Sequence, residues 1–97
     1  MVRGAGMTRL LAEPEPITVD VDAAGLPVRF VWRGIVHEVD LIANRWRVTS
    51  TWWIASAAAA REYVKLSTAE GLLCTIYRDL TIGESAADGW YMARVFD

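Results

Sequence analysis

The sequence is poor in the residues that disulfide and metal chemistry require. Its 97 residues include one cysteine, Cys74, and one histidine, His37. A single cysteine excludes an intrachain disulfide and is typical of proteins from reducing compartments. Structural metal sites need several cysteine or histidine ligands at short spacings, and the sequence has no such set. We therefore expect neither a disulfide framework nor a metal ion or other cofactor.

Long apolar runs and clustered glycines are also missing. No segment has the roughly 20 apolar residues of a membrane-spanning helix, and the N-terminal apolar run is too short for a secretory signal. The seven glycines are scattered singly, so no glycine-rich loop is present to cradle a phosphate. The expectation is a cytoplasmic protein that does not act at a membrane.

Charge is distributed unevenly along the chain. The formal net charge of −2 argues against a generally basic nucleic-acid-binding protein. Residues 27–65 nevertheless contain six basic and three acidic residues, a net charge of +3, and four of the five tryptophans. Positive charge and large aromatic rings are therefore concentrated in the same part of the sequence.

From Ile17 onward, apolar and polar residues alternate with a period close to two, which predicts β-strands. Arg33 and Gly34 predict a tight hairpin turn, and Asn44 predicts a bulge or turn within a long strand. The sequence therefore predicts an all-β domain over residues 16–97, built as a small curled antiparallel sheet or barrel of five to six strands. Residues 1–15 lack a period, end in "EPEP", and are expected to form a loosely ordered N-terminal arm.

One segment, "IASAAAA", leaves helix and loop as alternatives. Its alanines favour helix, and Ser56 could cap a short helical turn. The following "REYVKLST" alternates as a strand does, with Tyr63 and Lys65 opposite Val64 and Leu66. We expect a loop or one short helical turn near Ser56, followed by a strand.

Catalytic chemistry has weak support. Glu38 and Asp40 share one strand face and could act as an acid and a base, but such pairs are more often solvated or paired with nearby arginines. His37 points to the opposite face and is expected to be partly buried or hydrogen-bonded. Cys74 lies in an apolar strand, where burial would raise its pKa and leave it inert. No catalytic residue is predicted.

The aromatic and basic residues of the middle region are the main functional signal. Trp32 and Trp46 are predicted to face inward, because a small core needs large side chains. Trp52 and Trp53 are adjacent, so in an extended chain one of them must be exposed, and Trp90 or Tyr91 follows by the same reasoning. The residues predicted to contact a partner or a nucleic acid are Arg45, Arg47, Trp52, Trp53, Arg61, Tyr63, Lys65 and Trp90.

The runs "FVWRGIVHEVDLIANRWRV", "REYVKLSTAEGLLCTIYRDL" and "WYMARVFD" carry a family resemblance across about residues 16–97. The chain resembles an uncharacterised family of small bacterial proteins, a domain of unknown function, whose genes often lie near those of error-prone DNA polymerases. That neighbourhood implies an accessory role in DNA repair or translesion synthesis, and it implies no particular activity.

The predicted function is a non-enzymatic binding or adaptor module. Its partner would be a protein, such as a DNA polymerase complex, recognised through exposed aromatics and arginines. The alternative is single-stranded nucleic-acid binding by an aromatic and basic sheet face. The negative net charge favours the protein partner over the nucleic acid. A small hydrolase that uses carboxylates is the third hypothesis. The sequence leaves open whether the protein associates with itself.

Overall fold

The computed structural model describes residues 8–51, 58–82 and 85–96. These residues form seven β-strands and contain no helix. Ser56, near which a helical turn was an alternative, lies outside the described residues, as do Trp52 and Trp53. The strands are β1 (Thr8–Pro16), β2 (Thr18–Val21), β3 (Pro27–Trp32), β4 (Ile35–Thr51), β5 (Ala58–Thr68), β6 (Leu73–Asp79) and β7 (Trp90–Phe96).

All seven strands belong to one antiparallel sheet with the order β1-β7-β6-β5-β4-β3-β2. The two strands at the ends of this order, β1 and β2, are consecutive in the chain and separated only by Ile17. The sheet must therefore curl until its two ends approach each other, which produces a half-barrel. The Ile17 N–H marks this meeting point, since it donates a hydrogen bond to the carbonyl oxygen of Trp90 at 3.1 Å.

The all-β class and the curled antiparallel sheet confirm the sequence prediction, but the structure has seven strands instead of five or six. The additional strand is β1, which pairs with β7 and begins inside the segment expected to be a loosely ordered arm. Its prolines obscure the alternation on which strand prediction depends. Prolines are tolerated there because β1 stands at one end of the sheet order, where a missing N–H breaks no second ladder.

The β3–β4 hairpin forms as the sequence predicts. Arg33 and Gly34 both have positive φ, 53° and 77°, and they join the paired residues Trp32 and Ile35. Two consecutive positive φ values define the type I′ turn, whose twist matches that of the flanking strands. Glu15 links β1 to this hairpin, because its carboxylate accepts hydrogen bonds from Trp32 Nε1 at 2.9 Å and from Arg33 Nη2 at 2.7 Å.

Strand β4 is long and bent because it contains two bulges. Asp40 is left unpaired between Val39 and Leu41, and Ala43 is left unpaired between Ile42 and Asn44. Each bulge moves the following side chains to the other face of the sheet. Residues 35–38 of β4 pair with β3 and the longer second part, from Val39 to Thr51, pairs with β5, so the bend also carries the strand from one partner to the other.

The hydrophobic core lies on one face of the curled sheet. Val64 and Leu66 of β5 meet Cys74 and Ile76 of β6 on this face. His37 lies at the margin of this core, stacked on Phe30 with ring centroids 5.0 Å apart. The buried hydrophobic cluster consists of Val19, Phe30, Val64, Leu66, Cys74, Ile76, Trp90, Met92 and Val95.

Two turn glycines offer a matched pair for measuring backbone strain. Gly34 and Gly89 both have positive φ, but a Cβ at Gly34 would meet no atom within 4 Å. A Cβ at Gly89 would lie 2.9 Å from the carbonyl oxygen of Asp79 and 3.1 Å from Ile82 Cγ1. The Asp79 backbone is held there, because its N–H donates to the carbonyl oxygen of Gly89 at 2.8 Å.

We expect Gly34→Ala to lower the free energy of unfolding by about 1–2 kcal/mol, the usual cost of a left-handed residue with a Cβ. Gly89→Ala should cost roughly 1–3 kcal/mol more, because the methyl group also displaces a backbone segment. Urea denaturation of the two variants and the parent checks the difference. Equal destabilisation of both variants would contradict the close approach of Asp79 to Gly89.

Candidate functional site

The face of the sheet opposite the core carries a row of aromatic rings across four strands. Trp46, Tyr63, Tyr77 and Tyr91 occupy directly paired positions on β4, β5, β6 and β7. Successive ring centroids are 5.4, 5.3 and 5.2 Å apart, and the Trp46 and Tyr63 rings are parallel to within 5°. We call this row the aromatic ladder. Cross-strand aromatic pairs of this kind stabilise a sheet by holding neighbouring strands in register.

An open groove of about 720 Å³ runs beside the aromatic ladder. A volume in this range is typical of binding sites in proteins. None of the described residues that line it is acidic, although acidic residues outnumber basic ones in the chain. The lining residues are Pro14, Asn44, Trp46, Val48, Arg61, Tyr63, Lys65, Thr75, Tyr77, Ala93, Arg94 and Phe96.

Two of the groove's three cations lie over aromatic rings. The Arg61 guanidinium is centred 4.6 Å from the Tyr77 ring, and Lys65 Nζ is 4.8 Å from the centre of the Phe96 ring. Such contacts attract the cation to the π-face and limit its motion. Arg61 also donates to the Tyr63 hydroxyl at 3.5 Å, a hydrogen bond that raises the pKa of the guanidinium further above its ordinary value.

The third cation, Arg94, is exposed and comes from β7. Lys65 and Arg94 each pair with Thr75 of the intervening strand β6, so they stand on either side of it in the same row. Asp79 is paired with Arg61 at one end of the groove and offsets part of its charge. Among the described residues, the positive charge of the groove is therefore least offset at Lys65 and Arg94.

The rings of the aromatic ladder differ in their access to solvent. Tyr77 is buried, and this burial raises the pKa of its hydroxyl, which keeps the hydroxyl neutral. Trp46 is 39% exposed and stands at the end of the ladder, with Tyr63 against one face of its indole. In the described part of the chain, β3 pairs only with residues 35–38 of β4, so no paired strand lies beside Trp46 on its other side. Trp46 is thus the most exposed ring of the aromatic ladder.

The structure divides the residues predicted from sequence between two faces. Arg61, Tyr63 and Lys65 alternate along β5 and line the groove together. Arg45 and Arg47 flank Trp46 in β4 and therefore point to the other face, where they pair with Val64 and Glu62. The basic residues of the middle region therefore do not form one surface, because they lie on both faces of the sheet.

Two expectations about tryptophans were wrong. Trp90 or Tyr91 was expected to be exposed and Trp90 to contact a partner, but Trp90 is only 2% exposed and its Nε1–H donates to the carbonyl oxygen of Ala86 at 2.8 Å. Trp46 was expected to face the core, but it lines the groove. The sequence predicted one bulge in this strand, at Asn44, and a single bulge would have turned Trp46 to the core face. The strand has two bulges, and the second reverses the effect of the first, so Trp46 stays on the face opposite His37.

Sequence reasoning missed several groove residues because they lie outside the basic middle region. Tyr77, Arg94 and Phe96 belong to β6 and β7, and only strand pairing brings them beside Lys65. A local signal was present, since Tyr77 and Thr75 alternate with the core residues Ile76 and Cys74. Their alignment with Tyr63 depends on register, which the sequence does not display.

Contacts or burial account for most of the groups considered for catalysis. The His37 Nδ1 is hydrogen-bonded to Glu70, a contact that lowers the pKa of that carboxyl below its ordinary value. Burial raises the pKa of the Cys74 thiol to about 12 and keeps it protonated. Glu38 lies 3.4 Å from Arg29, which also binds Asp20 at 3.0 Å. Among the described residues, no cluster of three or more potential metal ligands is found.

Residues 7–97 match the model of a protein family described as a domain of unknown function, DUF6504. This match confirms the resemblance to an uncharacterised family. Comparison with curated proteins and with solved structures gave no match. Within the described residues, no helix has the length and apolar character needed to cross a membrane.

Proposed function

The chain belongs to the DUF6504 family, and we propose that it is a non-enzymatic module that binds single-stranded nucleic acid in the groove beside the aromatic ladder. The observation that supports this most directly is the composition of the groove wall. Arg61, Lys65 and Arg94 line it, no described acidic residue does, and Trp46 offers one free ring face. Cations that follow phosphates, together with a ring on which a base stacks, are how proteins hold single strands without sequence preference.

The chemistry of the groove fits a single strand better than a duplex. Bases of a single strand are free to stack on a protein ring, whereas those of a duplex are already stacked. A base placed on the free face of Trp46 would extend the aromatic ladder by one member. The backbone of the strand would then run towards Lys65 and Arg94, where the positive charge of the described groove residues is least offset.

The proposed ligand also agrees with the expectation drawn from the sequence resemblance. An accessory of damage-related DNA synthesis would work where template strands are unpaired. Single-stranded DNA is therefore the form of nucleic acid that we propose to test first.

The experiment compares two charge-neutralised variants of equal net charge. In one, Lys65→Ala is combined with Arg94→Ala in the groove; in the other, Arg45→Ala is combined with Arg47→Ala on the opposite face. Binding of a fluorescently labelled, mixed-sequence 12-nucleotide DNA is followed by anisotropy over a series of salt concentrations. Each phosphate contact contributes about 0.7 to the slope of log affinity against log salt for single strands.

We expect the groove variant to lose about 1.4 from that slope, from two phosphate contacts, while the opposite-face variant keeps the slope of the parent. Equal losses in both variants would show that DNA responds only to total charge. Failure of the parent protein to bind at low salt would overturn the proposed function.

A further inference from the structure

The second half of β4 has one free edge in the described part of the chain. Its pairing with β3 ends at Glu38, and β5 occupies the other side from Val39 to Thr51. Between Asn44 and Thr51 the pairing with β5 shows no bulge, so this part of the edge is regular. A regular free edge presents unpaired backbone groups to which an additional strand can pair.

The backbone of this edge shows which amides point outward. The Arg45 N–H donates to its neighbour's side-chain oxygen, Asn44 Oδ1, at 2.9 Å instead of to β5. In an antiparallel pair, residues alternate between those bonded to the partner strand and those facing away from it. Arg47 and Thr49 therefore share the outward direction of Arg45, and Trp46 and Val48 bond to β5.

Side chains along the edge alternate in chemistry as well as in direction. Arg45 and Arg47 are exposed on the core side of the sheet; Arg47 lies 3.7 Å from Glu62, and Arg45 has no ion-pair partner among the described residues. Trp46 and Val48 are 39% and 43% exposed on the groove side. Cationic and apolar side chains therefore alternate along the edge from Arg45 to Val48.

We infer that this edge, residues 44–49, binds an extended segment of a partner protein in which acidic and apolar residues alternate. Such a segment would add to the sheet as an eighth strand through the outward N–H and C=O groups of Arg47 and Thr49 and the outward C=O group of Arg45, whose N–H is bonded to Asn44. Its acidic side chains would stand opposite the two arginines, and its apolar side chains would pack beside Trp46 and Val48. Opposite charges at directly paired positions stabilise a sheet, and like charges destabilise it.

Charge complementarity selects this occupant over a second copy of the chain. Antiparallel pairing of two β4 edges that keeps equivalent faces together can be centred on Arg45, Trp46 or Arg47. Each of these registers sets at least one arginine directly opposite an arginine of the other copy, which opposes pairing. A register centred on Val48 sets Arg47 opposite Thr49 and gives neither arginine an acidic partner, whereas the acidic segment gives one to each. A nucleic-acid strand cannot continue the β-ladder, because it lacks the alternating N–H and C=O groups of a peptide. The inference does not depend on DNA binding in the groove.

The test uses the whole protein and two labelled eight-residue peptides, one alternating glutamate and valine and one alternating lysine and valine. We expect saturable binding of the glutamate peptide by anisotropy, and binding of the lysine peptide weaker by about tenfold or more. Hydrogen exchange of the Arg47 and Thr49 amides should slow when the glutamate peptide binds. Equal affinity for both peptides, or no binding up to about 1 mM, would overturn the inference.

Two sets of variants locate the site. Thr49→Pro removes an outward N–H and leaves the bonds to β5 in place, so it should abolish binding of the glutamate peptide, whereas Thr49→Ala should retain it. The double variant that combines Arg45→Glu with Arg47→Glu should bind the lysine peptide more tightly than the glutamate peptide. If Thr49→Pro binds the glutamate peptide as the parent does, the peptide binds elsewhere and the inference is overturned. The inference is also overturned if the parent forms a concentration-dependent dimer that Thr49→Pro does not form, because a second copy would then occupy the edge.

Discussion

Trp46→Ala is expected to weaken binding of single-stranded DNA by roughly tenfold to a hundredfold, because a base stacked on an aromatic side chain contributes about 1–3 kcal/mol. The groove contains other rings, but Tyr77 is buried and Lys65 lies over Phe96. Tyr63 lies between the Trp46 and Tyr77 rings. Removing Trp46 therefore removes the principal platform for a base.

The matched control for this result is Trp46→Phe. Phenylalanine keeps a flat ring at the end of the aromatic ladder, so it should retain most of the affinity that alanine loses. The measurement is anisotropy of a labelled 12-nucleotide strand, with urea denaturation to confirm that both variants are folded. If Trp46→Ala binds as the parent does, stacking on Trp46 is not part of recognition. If Trp46→Phe binds as weakly as Trp46→Ala, the indole is recognised for a property other than its ring face.

Phe30→Ala is expected to have the largest effect on stability, about 3–5 kcal/mol in the free energy of unfolding. Phe30 is 1% exposed, belongs to the core cluster and stacks on His37. Its loss would remove a large share of the 5–15 kcal/mol that stabilises a typical domain. The melting temperature should fall by roughly 4–8 °C for each kcal/mol lost.

Val28→Ala, two residues earlier in the same strand, provides the comparison. Val28 is 40% exposed, so its truncation should change the free energy of unfolding by less than about 0.5 kcal/mol. Thermal and urea denaturation of both variants measure the contrast. Similar destabilisation by the two substitutions would mean that Phe30 is not the core residue that the structure shows.

The two proposed binding surfaces meet at Trp46. Its ring closes one end of the groove, and its backbone belongs to the free edge of β4. A peptide strand added to that edge would place an apolar side chain beside the free face of the indole, where a base is proposed to stack. The two ligands would therefore compete or bind side by side according to the size of that side chain. Such a module could connect a protein partner to single-stranded DNA.

Sequence reasoning succeeded where structure follows from neighbouring residues. The alternation of Tyr63 and Lys65 with Val64 and Leu66 predicted that the two pairs lie on opposite faces, and the structure has them so. The positive φ values of the two-residue turn agree with the hairpin predicted from Arg33-Gly34. These features depend on the period of a strand and on the φ that a residue tolerates, and both are local properties.

The sequence predictions were wrong where the direction of a side chain depends on the number of bulges that precede it in the strand. One bulge was foreseen near Asn44, but β4 has two, and the second reverses what the first one does to Trp46. Trp90 was misplaced for a related reason. Adjacent residues in a strand do point to opposite sides, but which of Trp90 and Tyr91 faces the core is set by pairing with β6.

The sequence by itself determined the all-β class, the hairpin at residues 33–34 and the division of the β5 side chains between two faces, because these rest on local periodicity and turn chemistry. Only the tertiary structure decided that cations from β5 and β7 share a groove free of described acidic residues, that Trp46 faces this groove, and that the described part of the chain leaves one edge of β4 free. Those properties depend on strand order, register and bulges, which arise from pairing between segments far apart in the chain.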